Sequence, residues 1–506
     1  MNEIQQNNRR IAKNTLLLYI RMILVLGVTL YTVRIILDAL GVIDYGIYNV
    51  IGGIVIMFSF LSNTMASATQ RFFAFELGKN NVSQLSKIFS TSMTIYFIFA
   101  IGIFFLAETV GLWFVNTQMT IPESRLTAAN WAFQFSIFSF MASMFSIPYT
   151  SVIIAREKMK IYAYISIIEV ILNLLVAYLI VFISTDKLKL YASLIFIIKT
   201  VIAICYRQYC KSKYKECKYH FCWDKQLFSK LSSYSGWMLF GASGIVIRNQ
   251  GINILLNVFF NPVVNAARGI AMQIDTAINQ FVLNFIKATY PQITKYYATN
   301  QIMEMKKLVL RSSKFSFFLL FTITLPLLFE TQFILEIWLK EVPEYVVLFT
   351  RLTIIMTLID SFSHSLMAAA QATGKIKKYQ IIIGSALILN LPVTYIFLKI
   401  GFNPEIAYII AINISIINLI LRLLLLRQMI GLSIRDFVNH VLIKVSLPVI
   451  ISLILPLYFF RNIDHGIFRI ILISLSCITI SISSIYFIGL TKNERTWIIN
   501  MIKAKL

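Results

Sequence analysis

The chain has 506 residues, of which 58% are hydrophobic and only 13% charged, against about 45–50% and about 25% in ordinary soluble domains. A soluble fold so composed could not cover itself with polar side chains, and ten prolines and nineteen glycines are too few for a fibrous or low-complexity chain. The net charge of +24 then calls for no nucleic acid, because a nucleic-acid module would carry its basic patch on a soluble fold.

From the N-terminus, a polar and basic start, Met1 to Lys13, leads into an apolar run too long for a signal peptide. Runs of about 20 apolar residues suffice to cross a bilayer, and they place spans at 14–37, 46–70, 88–114, 127–153, 161–184 and 189–206. A basic stretch, 207–233, follows. Eight further spans lie at 234–260, 267–293, 312–338, 346–371, 379–398, 405–426, 442–460 and 467–490. The predicted fold is therefore an all-α integral membrane protein of about fourteen transmembrane helices. Its predicted parts are 1–206 (first lobe), 207–233 (basic cytoplasmic loop), 234–430 (second lobe) and 431–506 (spans 13 and 14 with a cytoplasmic tail).

With both termini in the cytoplasm, the inner segments hold about 32 of the 46 basic residues, as the resistance of positive charge to translocation requires. Anionic inner-leaflet lipid is the natural counter-charge.

The two halves repeat. Residues 69–90 align with 289–310 without a gap, pairing Thr69 with Thr289, Asn80 with Asn300 and Lys87 with Lys307. A second block pairs Ala155, Lys158, Lys160, Tyr162, Asn173, Leu174 and Tyr178 with Ala372, Lys375, Lys377, Tyr379, Asn390, Leu391 and Tyr395. Six helices is an even number, so both copies enter the membrane in the same direction. The expectation is two parallel six-helix lobes around a central cavity, with substrate between them near the midplane. Spans 13 and 14 have no counterpart.

Charges inside spans cost about 2.5–3.5 kcal/mol each on insertion scales, so each needs an explanation. The basic ones are Arg21, Arg34, Lys199, Arg248, Arg268, Lys287 and Arg351, with Arg71 at the end of span 2. Arg21, Arg248, Arg34, Arg268, Lys287 and Arg71 are the candidate lining of a cationic cavity, which suits a phosphate or pyrophosphate; snorkelling or interfacial anchoring explains those near span ends equally well. The acidic set is Glu169, Asp275 and Asp360, with Asp38 near an outer end. Arg268, Asp275 and Asn279 share one helix face, compatible with an internal Arg–Asp pair. His364 lies four residues after Asp360, so the two can meet across one turn, as a proton relay or as a helix contact. Asp275, His364, Asp360 and Asp38 are the ion-coupling candidates.

Five cysteines (Cys205, Cys210, Cys217, Cys222 and Cys477) form no disulfide framework, and Cys210, Cys217, His220 and Cys222 match no zinc spacing. The chain contains no nucleotide-binding loop, zinc-protease motif or nucleophile elbow. No catalytic residue, metal or cofactor is expected, and the energy for transport must come from a gradient, the membrane potential or downstream consumption.

Asn14-Thr15, the segment Asp38-Ala39-Leu40-Gly41-Val42-Ile43-Asp44-Tyr45-Gly46-Ile47-Tyr48, the segment Thr69-Gln70-Arg71-Phe72-Phe73-Ala74-Phe75-Glu76-Leu77-Gly78, and Gln371-Ala372-Thr373-Gly374-Lys375-Ile376-Lys377 resemble the corresponding segments of Wzx-type polysaccharide flippases. These belong to the multidrug, oligosaccharidyl-lipid and polysaccharide exporter superfamily. The resemblance implies a bacterial inner-membrane flippase for undecaprenyl-pyrophosphate-linked oligosaccharide units of O-antigen or other surface polysaccharide, with the remaining polysaccharide-assembly membrane proteins as neighbours. The alternatives are a cation-coupled multidrug or metabolite antiporter of the same superfamily, a flippase for the peptidoglycan precursor, and a membrane polysaccharide polymerase. The last lacks the outer loop it would need.

Overall fold

The computed structural model describes residues 3–496 apart from 118–120, 184, 222–223, 261, 340–341, 465 and 493. Cys222 and the C-terminal Lys503 and Lys505 lie outside the described residues. All regular structure among the described residues is helical, as expected where no water can satisfy an open backbone. The chain divides into two compact units, Met1–Leu239 and Phe240–Leu506.

In the first unit, α1 (Glu3–Gly78) comprises two helices separated at Gly41, whose φ of 75° breaks the run at a value that glycine adopts without steric cost. Helix α2 (Val82–Leu106) opens on the Asn81 side chain, which accepts from the Gln84 amide at 3.2 Å. A π-helical turn, Ala107–Gly111, joins it to α3 (Leu112–Thr117). Helices α4 (Leu126–Ala155), α5 (Met159–Phe182) and α6 (Lys187–Lys213) follow, and α7 (Lys225–Phe259) begins in this unit and ends in the next. Within the unit, α4 packs on α6, and α1 packs on α4 and α5.

The second unit contains α8 (Pro262–Ala298), α9 (Ile302–Phe329), α10 (Thr331–Leu339) and α11 (Val346–Thr373). Helices α12 (Lys377–Ile388) and α13 (Asn390–Ile400) make one pass interrupted at Leu389. Pro392 explains the break, since proline supplies no amide to the carbonyl four residues earlier. Helix α14 (Ile406–Ile430) completes the lobe. The short α15 (Ile434–Phe437) runs through a π turn into α16 (Ile443–Asn462), and α17 (Ile467–Ser484) returns. The hub is α11, packed on α8, α9 and α14.

Among the described residues, eleven segments are long and apolar enough to cross a membrane. Helices α7 and α8 are equally long but interrupt their apolar runs, with Arg248, Asn249, Gln250 and Asn253 in one and Arg268, Gln273, Asp275 and Asn279 in the other.

The repeat reappears in the backbone. Asn80 and Asn300, paired by the first alignment, both close a helix in the left-handed region, with φ 54° and 57°. Glu157 and Gly374, paired by the second, do the same at φ 59° and 76°. Two registers read from side chains thus agree with two turns fixed by dihedral angle.

The appended helices α16 and α17 pack on each other and on α9. Two buried ion pairs hold them there. Arg469 of α17 meets Glu330, just past α9, at 2.8 Å with side chains 3% and 2% exposed. Glu494 meets Lys314 of α9 at 2.7 Å, and Lys314 also donates to the Gly489 carbonyl at 3.2 Å.

Candidate functional site

Each unit has its own set of intramembrane polar groups. The larger set is in the second unit, where α8 lies along α11. The Arg268 guanidinium is buried, 4% exposed, and anchored by α7: its Nε donates to Asn253 Oδ1 at 2.5 Å and its Nη2 to the Asn249 carbonyl at 3.2 Å. It also lies 5.5 Å from the centre of the Tyr408 ring. Two turns on, Asp275 accepts from the Thr357 hydroxyl of α11 at 2.5 Å and from the Asn279 amide at 2.9 Å. Arg248 lies within electrostatic reach of both Arg268 and Asp275.

Arg268 and Asp275 therefore do not form the internal pair that their shared helix face allowed. Seven residues is about 10.5 Å of rise, and each group finds partners on another helix instead. Asp360 lies within electrostatic reach of Asp275 and of His364. The His364 ring reaches no hydrogen-bond partner with its buried Nε2 among the described residues, so that nitrogen does not close a bond to Asp360 across the turn. Lys287 is half-buried in the later part of α8.

In the first unit, Arg21 of α1 lies 4.9 Å from the centre of the Tyr162 ring of α5, and its buried Nε has no partner among the described residues. Tyr379, the repeat counterpart of Tyr162, also carries an arginine: Arg422 of α14 donates to its hydroxyl at 2.7 Å and lies 5.7 Å from its ring centre. Each unit thus sets an arginine on the equivalent tyrosine, drawn from a different helix. Tyr31 contacts Tyr178, and Phe259 contacts Tyr395; Tyr178 and Tyr395 are repeat partners. Tyr31 follows Arg21 by ten residues and Phe259 follows Arg248 by eleven, so Arg21 and Arg248 sit at nearly the same depth of their own units.

The other charges separate clearly. Arg71 is buried, with Phe72 and Phe75 at 4.8 and 4.7 Å from its guanidinium. Arg34 and Asp38 are exposed on α1. Lys199 pairs with Glu169 at 2.5 Å, and Arg351 donates to Thr331 at 3.2 Å, so these are explained by packing. Arg422 and the neutral partners Asn253 and Tyr408 escaped the sequence reading, whereas Thr357 shares the polar face of its span with Asp360, Ser361 and His364. Arg422 lies only a turn from a span end, and Asn253 and Tyr408 carry no charge to mark them. No cluster of three or more His, Cys, Asp or Glu suited to a metal occurs among the described residues.

No family model matches the sequence, and no curated protein matches it either. Solved structures do match in fold. A crystal structure of a MATE point mutant superposes with a TM-score of 0.73 at 13% identity, covering 85% of this chain and 99% of that one. The MATE transporter ClbM in complex with Rb+ gives 0.68 at 16% identity, covering 84% and 96%. An outward-facing multidrug resistance MATE family transporter of the MOP superfamily gives 0.69 at 13% identity, covering 85% and 98%. The chain has the fold of the MATE transporters.

Proposed function

We propose that this protein is an ion-coupled secondary transporter of the MOP superfamily, working by alternating access and without ATP hydrolysis. The Asp275 site carries this reading. A carboxylate in the interior of a helix receives only neutral donors, Thr357 and Asn279, and forms no ion pair among the described residues. A second carboxylate, Asp360, lies nearby. A carboxylate so placed can take up and release a cation as the surroundings change, whereas a paired one is already neutralised. The likeness to MATE transporters, one of them described with Rb+, supports the same class.

The test uses the full chain in proteoliposomes, with proton and sodium gradients applied separately and ethidium as the reporter cargo. Wild type should move dye only with one of the gradients, and Asp275→Asn should remove that dependence. Gradient dependence surviving in both Asp275→Asn and Asp360→Asn would refute the assignment.

A second reading of the cargo has its own observation. The helix-borne charges Arg21, Arg34, Arg248, Arg268 and Lys287 outnumber Asp38, Asp275 and Asp360, and Arg21 keeps a buried Nε without a partner among the described residues. This favours an anionic cargo such as an undecaprenyl-pyrophosphate-linked oligosaccharide, moved from the inner to the outer leaflet of a bacterial cell membrane. Both termini are then cytoplasmic, anionic inner-leaflet lipids face the basic loop, and other polysaccharide-assembly proteins act beside it. A fluorescent lipid-linked oligosaccharide should flip about tenfold more slowly in Arg21→Ala and Arg248→Ala, a loss of about 1.4 kcal/mol. Unchanged flipping in both variants would remove the anionic reading.

A further inference from the structure

A polar stripe runs along α11. Thr350, Thr357, Asp360, Ser361, His364 and Ser365 fall within an arc of roughly 140° at 3.6 residues per turn. They span about 22 Å of helix at 1.5 Å per residue. Thr350, Ser361 and Ser365 are fully buried and Thr357 is 2% exposed. In a helix hub surrounded by α8, α9 and α14, an apolar interior would be expected.

Several of these groups lack a partner among the described residues: Thr350 Oγ1, His364 Nε2 and Ser365 Oγ on α11. The neighbouring helices repeat the pattern, with Ser312 and Ser316 on α9 and Ser415 on α14, each 1% exposed or less. Leaving such groups dry costs about 1–3 kcal/mol apiece. A polar cavity in which water meets two to four partners removes that cost.

The charged and titratable groups around the stripe are few. Helix α8 contributes Arg268 and Asp275, α7 contributes Arg248, α14 contributes Tyr408 and Arg422, and α12 contributes Tyr379. On α9, Arg311 and Lys314 both pair with Glu494. His364 lies within electrostatic reach of Asp360 on one side and Arg422 on the other.

We propose that α11 carries a hydrated proton path, entering beside Arg422 and Tyr379, passing His364, and ending at Asp360 and Asp275. The inference rests on the transporter reading above and names its coupling ion. A metal cation would need several oxygen acceptors turned toward it. Asp275 is instead dressed by donors, the Thr357 hydroxyl and the Asn279 amide, and the route passes an imidazole and a guanidinium. A proton needs only hydrogen-bonded steps, and a neutral imidazole, with one ring nitrogen that donates and one that accepts, can pass one along.

The test needs no cargo. Infrared difference spectra of the reconstituted full chain, between neutral and mildly acidic buffer, report the carbonyl band of protonated carboxylic acids and its rate of hydrogen–deuterium exchange. Wild type should show the band, and Asp275→Asn should diminish it. Adding Na+ or Rb+ at constant pH should leave it unchanged. His364→Gln should slow its exchange about tenfold, the factor given by about 1.4 kcal/mol of added barrier. Ser365→Ala, which removes the hydroxyl and adds no bulk, should also slow exchange, and it replaces His364→Gln if that variant does not fold. A band titrated away by Na+ or Rb+, or exchange as fast as wild type in the folded variants, would overturn the path. A normal band in protein that moves no cargo would instead count against the transporter reading alone.

Discussion

The ion pair between Glu330 and Arg469 offers a measurable account of how the appended helices are held. Both side chains are almost wholly buried, 2% and 3% exposed, at 2.8 Å. Removing one partner of such a pair leaves the other charge buried and uncompensated, which costs about 3–5 kcal/mol. Replacing both by apolar groups is close to neutral, because two desolvation penalties disappear together with the attraction. Glu330→Leu and Arg469→Met should therefore each lower the melting temperature in detergent by roughly 6–20 °C, taking 2–4 °C per kcal/mol for a unit of a few hundred residues. The double variant Glu330→Leu with Arg469→Met should recover most of that loss. The assay is scanning fluorimetry of all four proteins in one detergent, read as a double-mutant cycle. Additive losses, with the double variant the least stable, would refute the reasoning and show that the two charges are held by separate surroundings.

Two other expectations follow from local geometry. Arg125 joins three elements of the first unit, with Asp44 at 2.5 Å and Asp186 at 3.0 Å, and Arg125→Gln should cost about 1–3 kcal/mol, at the low end because Arg125 and Asp186 keep about a quarter of their surface in water. Burial pushes the Asp186 carboxyl up, but hydrogen bonds from Arg125 and the Lys189 amide outweigh it and hold the group below its usual range. This contribution is therefore present above the unfolded value of about 3.9 and lost as pH falls through the lower folded value. The gap in melting temperature between wild type and Arg125→Gln should stay constant through neutral pH and close only in strongly acidic buffer; closure near pH 6 would be inconsistent with it. At Gly244, an added Cβ would lie 3.0 Å from the Gly384 carbonyl oxygen of α12. Gly244→Val should then cost about 1–3 kcal/mol by overpacking, and an unchanged melting temperature would show that α7 and α12 can separate freely.

Much of the architecture was legible because a bilayer simplifies the problem. Apolar run length sets the passes, and the left-handed residues at 80, 157, 300 and 374 fall where the repeat alignment put equivalent residues. Helices α7 and α8 were legible by length and marked by the polar residues that interrupt them. Partner choice was not legible. Periodicity placed Arg268 and Asp275 on one face, but could not show that Asn253 on α7 and Thr357 on α11 stand closer to them than they stand to each other. Glu330 and Arg469 are 139 residues apart, and neither sits in a pattern that names the other. Arg422 was missed because a position near a span end admits snorkelling, whereas the structure commits it to Tyr379.

The docking of α16 and α17 on α9 bears on how dispensable they are. Having no counterpart in the repeat, they read as an ornament that the rest of the chain could do without. Yet Lys314 lies in α9 and Glu330 just past it, and both are neutralised from beyond residue 430, by Glu494 and by Arg469. Excising 431–506 would strand a buried base within α9 and a buried acid at its end. A shortened chain would therefore need companion changes at 314 and 330 to stay as stable, which makes the appended pair part of the structure of α9.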